Sequence, residues 1–176
     1  MSISLDPLIS LPDENEESYY PGYEDAKMLS HCSKWCNDLR NMKKWKGRAF
    51  SVFGENIKKQ SVLLCKYLCP IKPPKEVCDL EPQQPERADY KYSIEKAAHF
   101  VSLIPFEADL KSFEDMDDLY CTCQEFLDLK QGDYEEHAIL LANFFQYIDD
   151  EQKTDATSYL LFGDAVPEGR TVFVMR

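Results

Sequence analysis

The stretch GDYEEHAILLANFF, residues 132–145, decides how the C-terminal half of this chain folds. Asp133 is a favourable N-cap residue, and Glu136 stands three positions later, which is the spacing of a capping box. Apolar residues then recur at helical spacing on one face: Ala138, Leu141, Ala142, Phe145 and Ile148. The stretch therefore predicts a helix that begins at Tyr134 and runs to about residue 148.

The elements around this helix predict an α+β fold. A polar loop follows it and leads to two apolar runs, residues 159–163 and 171–175, which fit a pair of strands. Short helices are predicted before it, at residues 93–104 and within residues 119–129. Helices followed by an antiparallel strand pair indicate an α+β domain over residues 91–176.

The first half of the chain divides by composition. Residues 1–27 are acidic and lack periodicity, which predicts a disordered tail. Residues 28–45 fit a helix, and residues 48–53 and 61–69 fit two strands with a turn near Gly54 and Asn56. Residues 73–90 are rich in proline and predict an extended linker. The predicted helix has one apolar stripe, formed by Leu29, Cys32, Cys36, Leu39 and Met42.

Charge is distributed in blocks along the 176 residues, whose net charge is −12. Residues 31–75 carry eleven Lys or Arg against Asp38 and Glu55, whereas residues 76–176 carry 23 carboxylates against eight basic residues. The basic block fits an anionic membrane surface or an acidic protein, and it fits a solvated face equally well. No nucleic-acid recognition motif accompanies it, so we expect no nucleic-acid partner.

The sequence also indicates the cellular compartment in which the protein is expected. No apolar run reaches the length of a membrane-spanning helix, and the N-terminus has no basic region of the kind that opens a signal peptide. Seven cysteines, an odd number without a disulfide-framework spacing, favour reduced thiols in a cytoplasmic protein.

Four ordered blocks carry a resemblance to a known family. They are FVSLIPF (100–106), CTCQEFLDL (121–129), GDYEEHAILLANFF (132–145) and YLLFGDAVPEGRTVFVM (159–175). Together they resemble the C-terminal region of the coiled-coil and C2 domain-containing protein 2A family and related centrosomal proteins. SVLLCKYLCPIKPP (61–74) resembles the approach to that region, so residues 28–72 are interpreted as a remnant of a preceding C2-type, lipid-binding domain.

The resemblance implies a partial transglutaminase-like (papain-like) fold without catalytic activity and without a cofactor. It further implies a structural, scaffolding role in the ciliary transition zone, the gate at the base of the cilium. The expected partners are other transition-zone complex proteins, and the expected location is the cytoplasm and cytoskeleton at the ciliary base.

The resemblance also assigns the degenerate catalytic positions. Gly132 and Tyr134 match a glycine and, two residues later, the nucleophilic cysteine, so a phenol replaces the thiol. Thr171 stands where the histidine of such an enzyme begins the second strand, and the third position of the triad would lie beyond Arg176. A cysteine–histidine mechanism needs both groups within hydrogen-bond reach, so we predict no hydrolase or crosslinking activity.

Glu135, Glu136 and His137 follow the nucleophile position and have two readings. They could line a vestigial groove that binds a peptide, or the two carboxylates could favour the helix N-terminus while His137 packs locally.

Three further sites compete with the scaffold reading. Cys121 or Cys123 could serve as a peptidase or transglutaminase nucleophile, with His99 or His137 as its base. Zinc could bind two cysteine pairs in an adaptor, although small core residues are the better interpretation. Trp35 and Trp45, among lysines, fit either a membrane-surface helix or a docking helix. The zinc hypothesis involves His31, Cys32, Cys36, Cys65 and Cys69, and the lysines are Lys43, Lys44 and Lys46.

Overall fold

The computed structural model describes residues 23–47, 52–79, 91–109 and 119–176. Within these ranges the chain has mixed α and β content, with four helices and seven strands. The helices are α1 (Tyr23–Asn41), α2 (Ile94–Ser102), α3 (Cys123–Leu129) and α4 (Tyr134–Gln152). The strands are β1 (Phe53–Asn56), β2 (Ser61–Leu63), β3 (Cys78–Asp79), β4 (Lys91–Tyr92), β5 (Leu119–Tyr120), β6 (Tyr159–Ala165) and β7 (Gly169–Met175).

Helix α4 is the centre of the fold, and its predicted start is confirmed. Asp133 is the N-cap, and its side chain and that of Glu136 form the reciprocal hydrogen bonds of a capping box. The helix is more deeply buried than a single apolar face requires. Besides the predicted face, the other side is also in the core, because α2, β5 and the preceding segments surround the helix. Buried residues of that other side are Ile139, Leu140, Asn143 and Phe144.

The hairpin of β6 and β7 follows α4, as predicted, and pairs from Tyr159↔Met175 to Ala165↔Gly169. One of its faces packs on the core through Leu160 and Val174. The opposite face presents four large apolar side chains that are 45–56% exposed: Tyr159, Leu161, Phe173 and Met175. Arg176, directly after β7, donates two hydrogen bonds to the buried carboxylate of Asp149 on α4 and thereby ties the hairpin to the helix.

The first half of the chain is joined to the second by backbone pairing. Strand β1 pairs antiparallel with β2 and parallel with β5, so residues on both sides of the Pro-rich stretch share one three-stranded sheet. The Ile71 amide donates to the main-chain oxygen of Asn143 on α4. The division of the chain into domains stays a prediction, and these contacts cross the predicted boundary.

The structure corrects several predicted elements. The disordered tail was predicted to reach residue 27, but Tyr23–Lys27 are already helical, since nothing in residues 23–46 interrupts a helix with proline or glycine. Residues 1–22 of the predicted tail lie outside the described residues. Gly54 and Asn56 lie within β1 rather than in a turn, because the chain reverses later, at residues 57–60.

The predicted strand at residues 61–69 and the predicted linker are also shorter than expected. Leu64–Tyr67 form a 3-10 turn, which leaves β2 only three residues long. In the predicted linker, residues 73–90, the part from Lys75 to Asp79 forms a 3-10 turn and then β3, which pairs with β4. Pro73 and Val77 are buried there, so this part is held by the core, and residues 80–90 lie outside the described residues.

Helix α1 confirms the predicted apolar stripe in most positions. Cys36 is 2% exposed, and Leu29, Cys32 and Leu39 are partly buried, while Met42 is 50% exposed beyond the end of the helix. None of the described helices has a stretch long and apolar enough to span a bilayer.

Candidate functional site

A shallow cavity of about 410 Å³ lies where the N-terminus of α4 meets the β6–β7 hairpin. Tyr134, the first residue of α4, and Thr171, on β7, both line it. The structure therefore brings together the two positions that the family resemblance assigned to the nucleophile and the histidine. The other lining residues are Glu135, Phe162, Gly163, Asp164, Arg170 and Val172.

The side chains that follow Tyr134 point to different places. Glu135 lines the cavity, although only 1% of the residue's surface is exposed. Its main-chain amide donates a hydrogen bond of 2.9 Å to the Asp133 carboxylate. Glu136 turns inward, where its carboxyl group accepts from the amides of Asp133 at 3.2 Å and Cys121 at 3.4 Å. Of the predicted groove residues, only Glu135 is among those that line the cavity.

Glu136 belongs to a buried cluster of three carboxyl groups that the sequence analysis did not anticipate. Oxygen atoms of Asp109, Asp133 and Glu136 lie within 4.8 Å of one another, and all three residues are buried. Burial, followed by the neighbouring carboxyl groups, raises the pKa of Glu136 to about 9. At neutral pH this shift favours the protonated form of the Glu136 carboxyl group.

Asp109 completes this cluster from a distant part of the sequence. Its carboxylate accepts a hydrogen bond of 2.6 Å from the Leu119 amide, which starts β5. No spacing rule connects Asp109 with Asp133, so the capping-box pattern identified Asp133 and Glu136 in the sequence but not Asp109. The cluster is the only group of three close metal-binding side chains among the described residues.

His137 contacts the main chain and two aromatic rings near the start of α4. Its Nδ1 contacts the main-chain oxygen of Asp133, and its Nε2 lies 3.0 Å from the main-chain oxygen of Ile104. The ring also packs edge-on against Phe126, with 4.9 Å between ring centroids, and stacks with Phe106. Both ring nitrogens thus face carbonyl oxygens, and this geometry matches the local-packing reading.

The two candidate nucleophilic thiols are held in their neutral forms. Burial, with smaller contributions from nearby carboxylates, raises the pKa of Cys121 to about 12. Burial likewise raises the pKa of Cys123 to about 11, although its sulfur accepts a hydrogen bond of 3.0 Å from the Asn143 amide. The other proposed base, His99, lies exposed in the last turn of α2.

The cysteines of the zinc hypothesis differ in environment. Cys36 is buried, Cys32 is partly buried, and Cys65 and Cys69 are exposed. Within the described part of the chain these thiols do not form a group with metal-binding separations. His31 is exposed on α1.

The two tryptophans also lie apart. Trp35, on α1, is 49% exposed and lines an apolar cleft. Trp45 follows the helix in a 3-10 turn, where the Lys44 ammonium lies 4.9 Å from its ring centroid.

Comparison with known proteins gives two matches. The family model described as the CEP76 peptidase-like domain matches residues 118–176, which include α3, α4, β6 and β7 and the residues Tyr134 and Thr171. The human Protein CC2D2B is 31% identical over 113 residues, which cover 64% of this chain and 7% of that protein. This chain thus corresponds to a small fraction of its relative's length. No solved structure matches the chain.

The two matches confirm the resemblance read from the sequence: the chain is similar to the coiled-coil and C2 domain-containing 2 proteins, and its C-terminal third to the CEP76 peptidase-like domain.

Proposed function

We propose that this chain is a non-catalytic scaffold protein of the ciliary transition zone, which supports cilium assembly and gating through protein–protein contacts. The cavity between Tyr134 and Thr171 carries the proposal. The family resemblance assigns Tyr134 and Thr171 to the nucleophile and histidine positions of a peptidase, but neither residue supplies a thiolate or an imidazole. A retained cavity without its nucleophile supports binding rather than bond cleavage.

Peptide binding is the proposed use of this cavity. Its lining combines the apolar ring of Phe162 with the oppositely charged side chains Asp164 and Arg170. Such a lining suits an extended segment that carries both polar and apolar groups. Glu135, at the N-terminus of α4, contributes to the groove, whereas Glu136 and His137 support it from behind.

The proposed partners and location follow from the resemblance. Other transition-zone complex proteins are the proposed partners, and the ciliary base, within the cytoplasm and cytoskeleton, is the proposed location. The basic residues of α1 and of the β1–β2 region provide a second contact, with an anionic membrane surface.

Imaging tests the location. Endogenously tagged protein in ciliated cells should form a ring just distal to the basal body, and its deletion should impair cilium assembly or the retention of ciliary membrane proteins. Diffuse signal with normal cilia after deletion would remove the ciliary role and leave a likeness of sequence only.

The competing function is a cysteine-dependent peptidase or transglutaminase that uses Cys121 or Cys123. The raised pKa values of both thiols argue against it, because the thiolate is the nucleophile. If the wild type releases product from a peptide amide substrate, and the Cys121→Ser or Cys123→Ser variant does not, the non-catalytic proposal is overturned. We expect the wild type and both variants to release product only at the background rate.

A further inference from the structure

An apolar cleft of about 480 Å³ separates α1 from α4 and the hairpin. Among the described residues that line it, none carries a charge, although the whole chain is 30% charged. Several lining side chains are left well exposed, including Trp35 (49%), Leu68 (45%) and Tyr159 (56%). The lining residues are Cys32, Trp35, Val52, Leu63, Leu64, Cys65, Leu68, Ile139, Ala142, Gln146, Ser158, Tyr159, Leu160 and Phe162.

We propose that the chain's own N-terminal segment, residues 1–22, binds back into this cleft, with the apolar residues 3–11 inside it and the acidic residues 13–17 beside α1. The cleft is then an intramolecular docking site that the segment covers, and a partner that needs the cleft must displace it.

The composition of the segment fits the cleft. Its first half supplies five aliphatic side chains and Met1, with Asp6 as its one charge. Its second half supplies four carboxylates, and residues 1–22 contain no Lys or Arg. The aliphatic residues are Ile3, Leu5, Leu8, Ile9 and Leu11, and the later carboxylates are those of Asp13, Glu14, Glu16 and Glu17.

The basic residues near the cleft are complementary in charge to the acidic second half of the segment. Exposed Lys34 is the sequence neighbour of Trp35 on α1, and exposed Lys66 is the neighbour of Cys65. Described residues 27–75 carry eleven Lys or Arg against Asp38 and Glu55. An acidic stretch alongside α1 is therefore attracted to it.

The chain length permits the contact. Cys32 and Trp35 lie about 14–18 Å along α1 from Tyr23, at roughly 1.5 Å of rise per residue. The residues between Leu11 and Tyr23 span up to roughly 40 Å when extended, at about 3.3 Å per residue. Because the segment is covalently attached, its binding is intramolecular, and its effective concentration at the cleft is on the order of 1 mM.

Trp35 fluorescence tests the proposal directly. The chain contains two tryptophans, so Trp45→Phe leaves Trp35 as the single reporter on the cleft wall. Acrylamide should quench Trp35 weakly in the full chain and strongly after deletion of residues 1–22. A synthetic peptide of residues 1–22 added to the deleted protein should restore protection, and high salt should weaken it.

Matched variants separate cleft binding from a general effect. Leu68 and Leu129 are both 45% exposed, but only Leu68 lines the cleft. Leu68→Asp should abolish protection by the peptide, and Leu129→Asp should leave it intact. A peptide with Ser at positions 5, 8 and 9 should fail to protect. If the deleted protein does not fold, the same three substitutions in the full chain give the answer.

Equal quenching of Trp35 in the full chain and in the deleted or substituted protein would overturn the proposal. Protection that persists without the segment and increases with protein concentration would also overturn it, because a second copy would then cover the cleft.

Discussion

The side-chain amide of Asn143 donates a hydrogen bond of 2.7 Å to the main-chain oxygen of Tyr67, which lies 76 residues earlier in the chain. The same amide reaches the sulfur of Cys123, and the main-chain oxygen of Asn143 accepts from Ile71. One buried residue on α4 thus holds both the segment after β2 and the start of α3. This cross-link explains why a polar residue occupies the centre of the core.

Replacing Asn143 with Ala should lower the free energy of unfolding by roughly 1–3 kcal/mol, since the buried oxygen of Tyr67 loses its donor. Urea unfolding followed by circular dichroism measures the change. Gln146→Ala, an exposed position on the same helix, is the control and should change stability by less than about 0.5 kcal/mol. Equal effects of the two substitutions would contradict the cross-link.

Gly132→Ala should destabilise the protein through overpacking. Gly132 also matches the glycine of a catalytic motif, but this prediction depends only on its packing. An added Cβ would lie 2.7 Å from Cε2 of Phe126, a ring that is 1% exposed and cannot move aside. We expect a loss of about 1–3 kcal/mol in the free energy of unfolding. Gly163→Ala, whose Cβ would meet open space, is the control. A neutral Gly132→Ala would show that the ring has room to shift.

Glu136 should make stability fall as the pH rises. Its pKa is about 9 in the folded protein and 4.5 in its ordinary state, so between these values the folded chain holds a proton that the unfolded chain has lost. The stabilising contribution is complete below about pH 4 and decreases toward pH 9, by up to roughly 1.4 kcal/mol per pH unit.

Glu136→Gln resembles the protonated carboxyl group and keeps an acceptor for the capping box. Its free energy of unfolding, measured by urea titration from pH 5 to pH 9, should decline less steeply than that of the wild type. The protein should therefore gain stability relative to wild type above pH 7. Parallel pH profiles for the two proteins would mean that Glu136 is ionised in the fold.

Thiol labelling should follow exposure rather than the predicted catalytic positions. Cys69 is exposed and should react with iodoacetamide at pH 7.5 well before Cys121, which is 3% exposed and has a pKa of about 12. Peptide mass spectrometry over time resolves each site. Rapid labelling of Cys121 that disappears in His137→Ala would instead support the peptidase hypothesis.

Local patterns in the sequence predicted the elements with the strongest short-range signals. The capping box at Asp133, the helix after Ser93 and the β6–β7 pair are each encoded within a few residues, and each forms near its predicted position. The N-terminal boundaries were less accurate, because the turn after β1 contains neither proline nor glycine.

The interior of the site could not be predicted in the same way. Asp109 meets Asp133 only through the tertiary fold, and the parallel pairing of β1 with β5 joins segments that are about sixty residues apart. The sequence placed Tyr134 and Thr171 in one site through family resemblance, whereas nothing local would have brought a helix start to a strand 37 positions later.

The separation of charge along the chain affects how this protein associates with other charged molecules and surfaces. At physiological ionic strength, charges more than about 8 Å apart are largely screened from each other. Helix α1, with 19 residues, is roughly 28 Å long, so charges at its two ends are screened from each other, and a partner senses only the charges near its point of contact. The net charge of −12 is therefore a poor guide to association: an anionic surface is attracted where lysines outnumber carboxylates, as along residues 31–75, and a cationic one where carboxylates dominate.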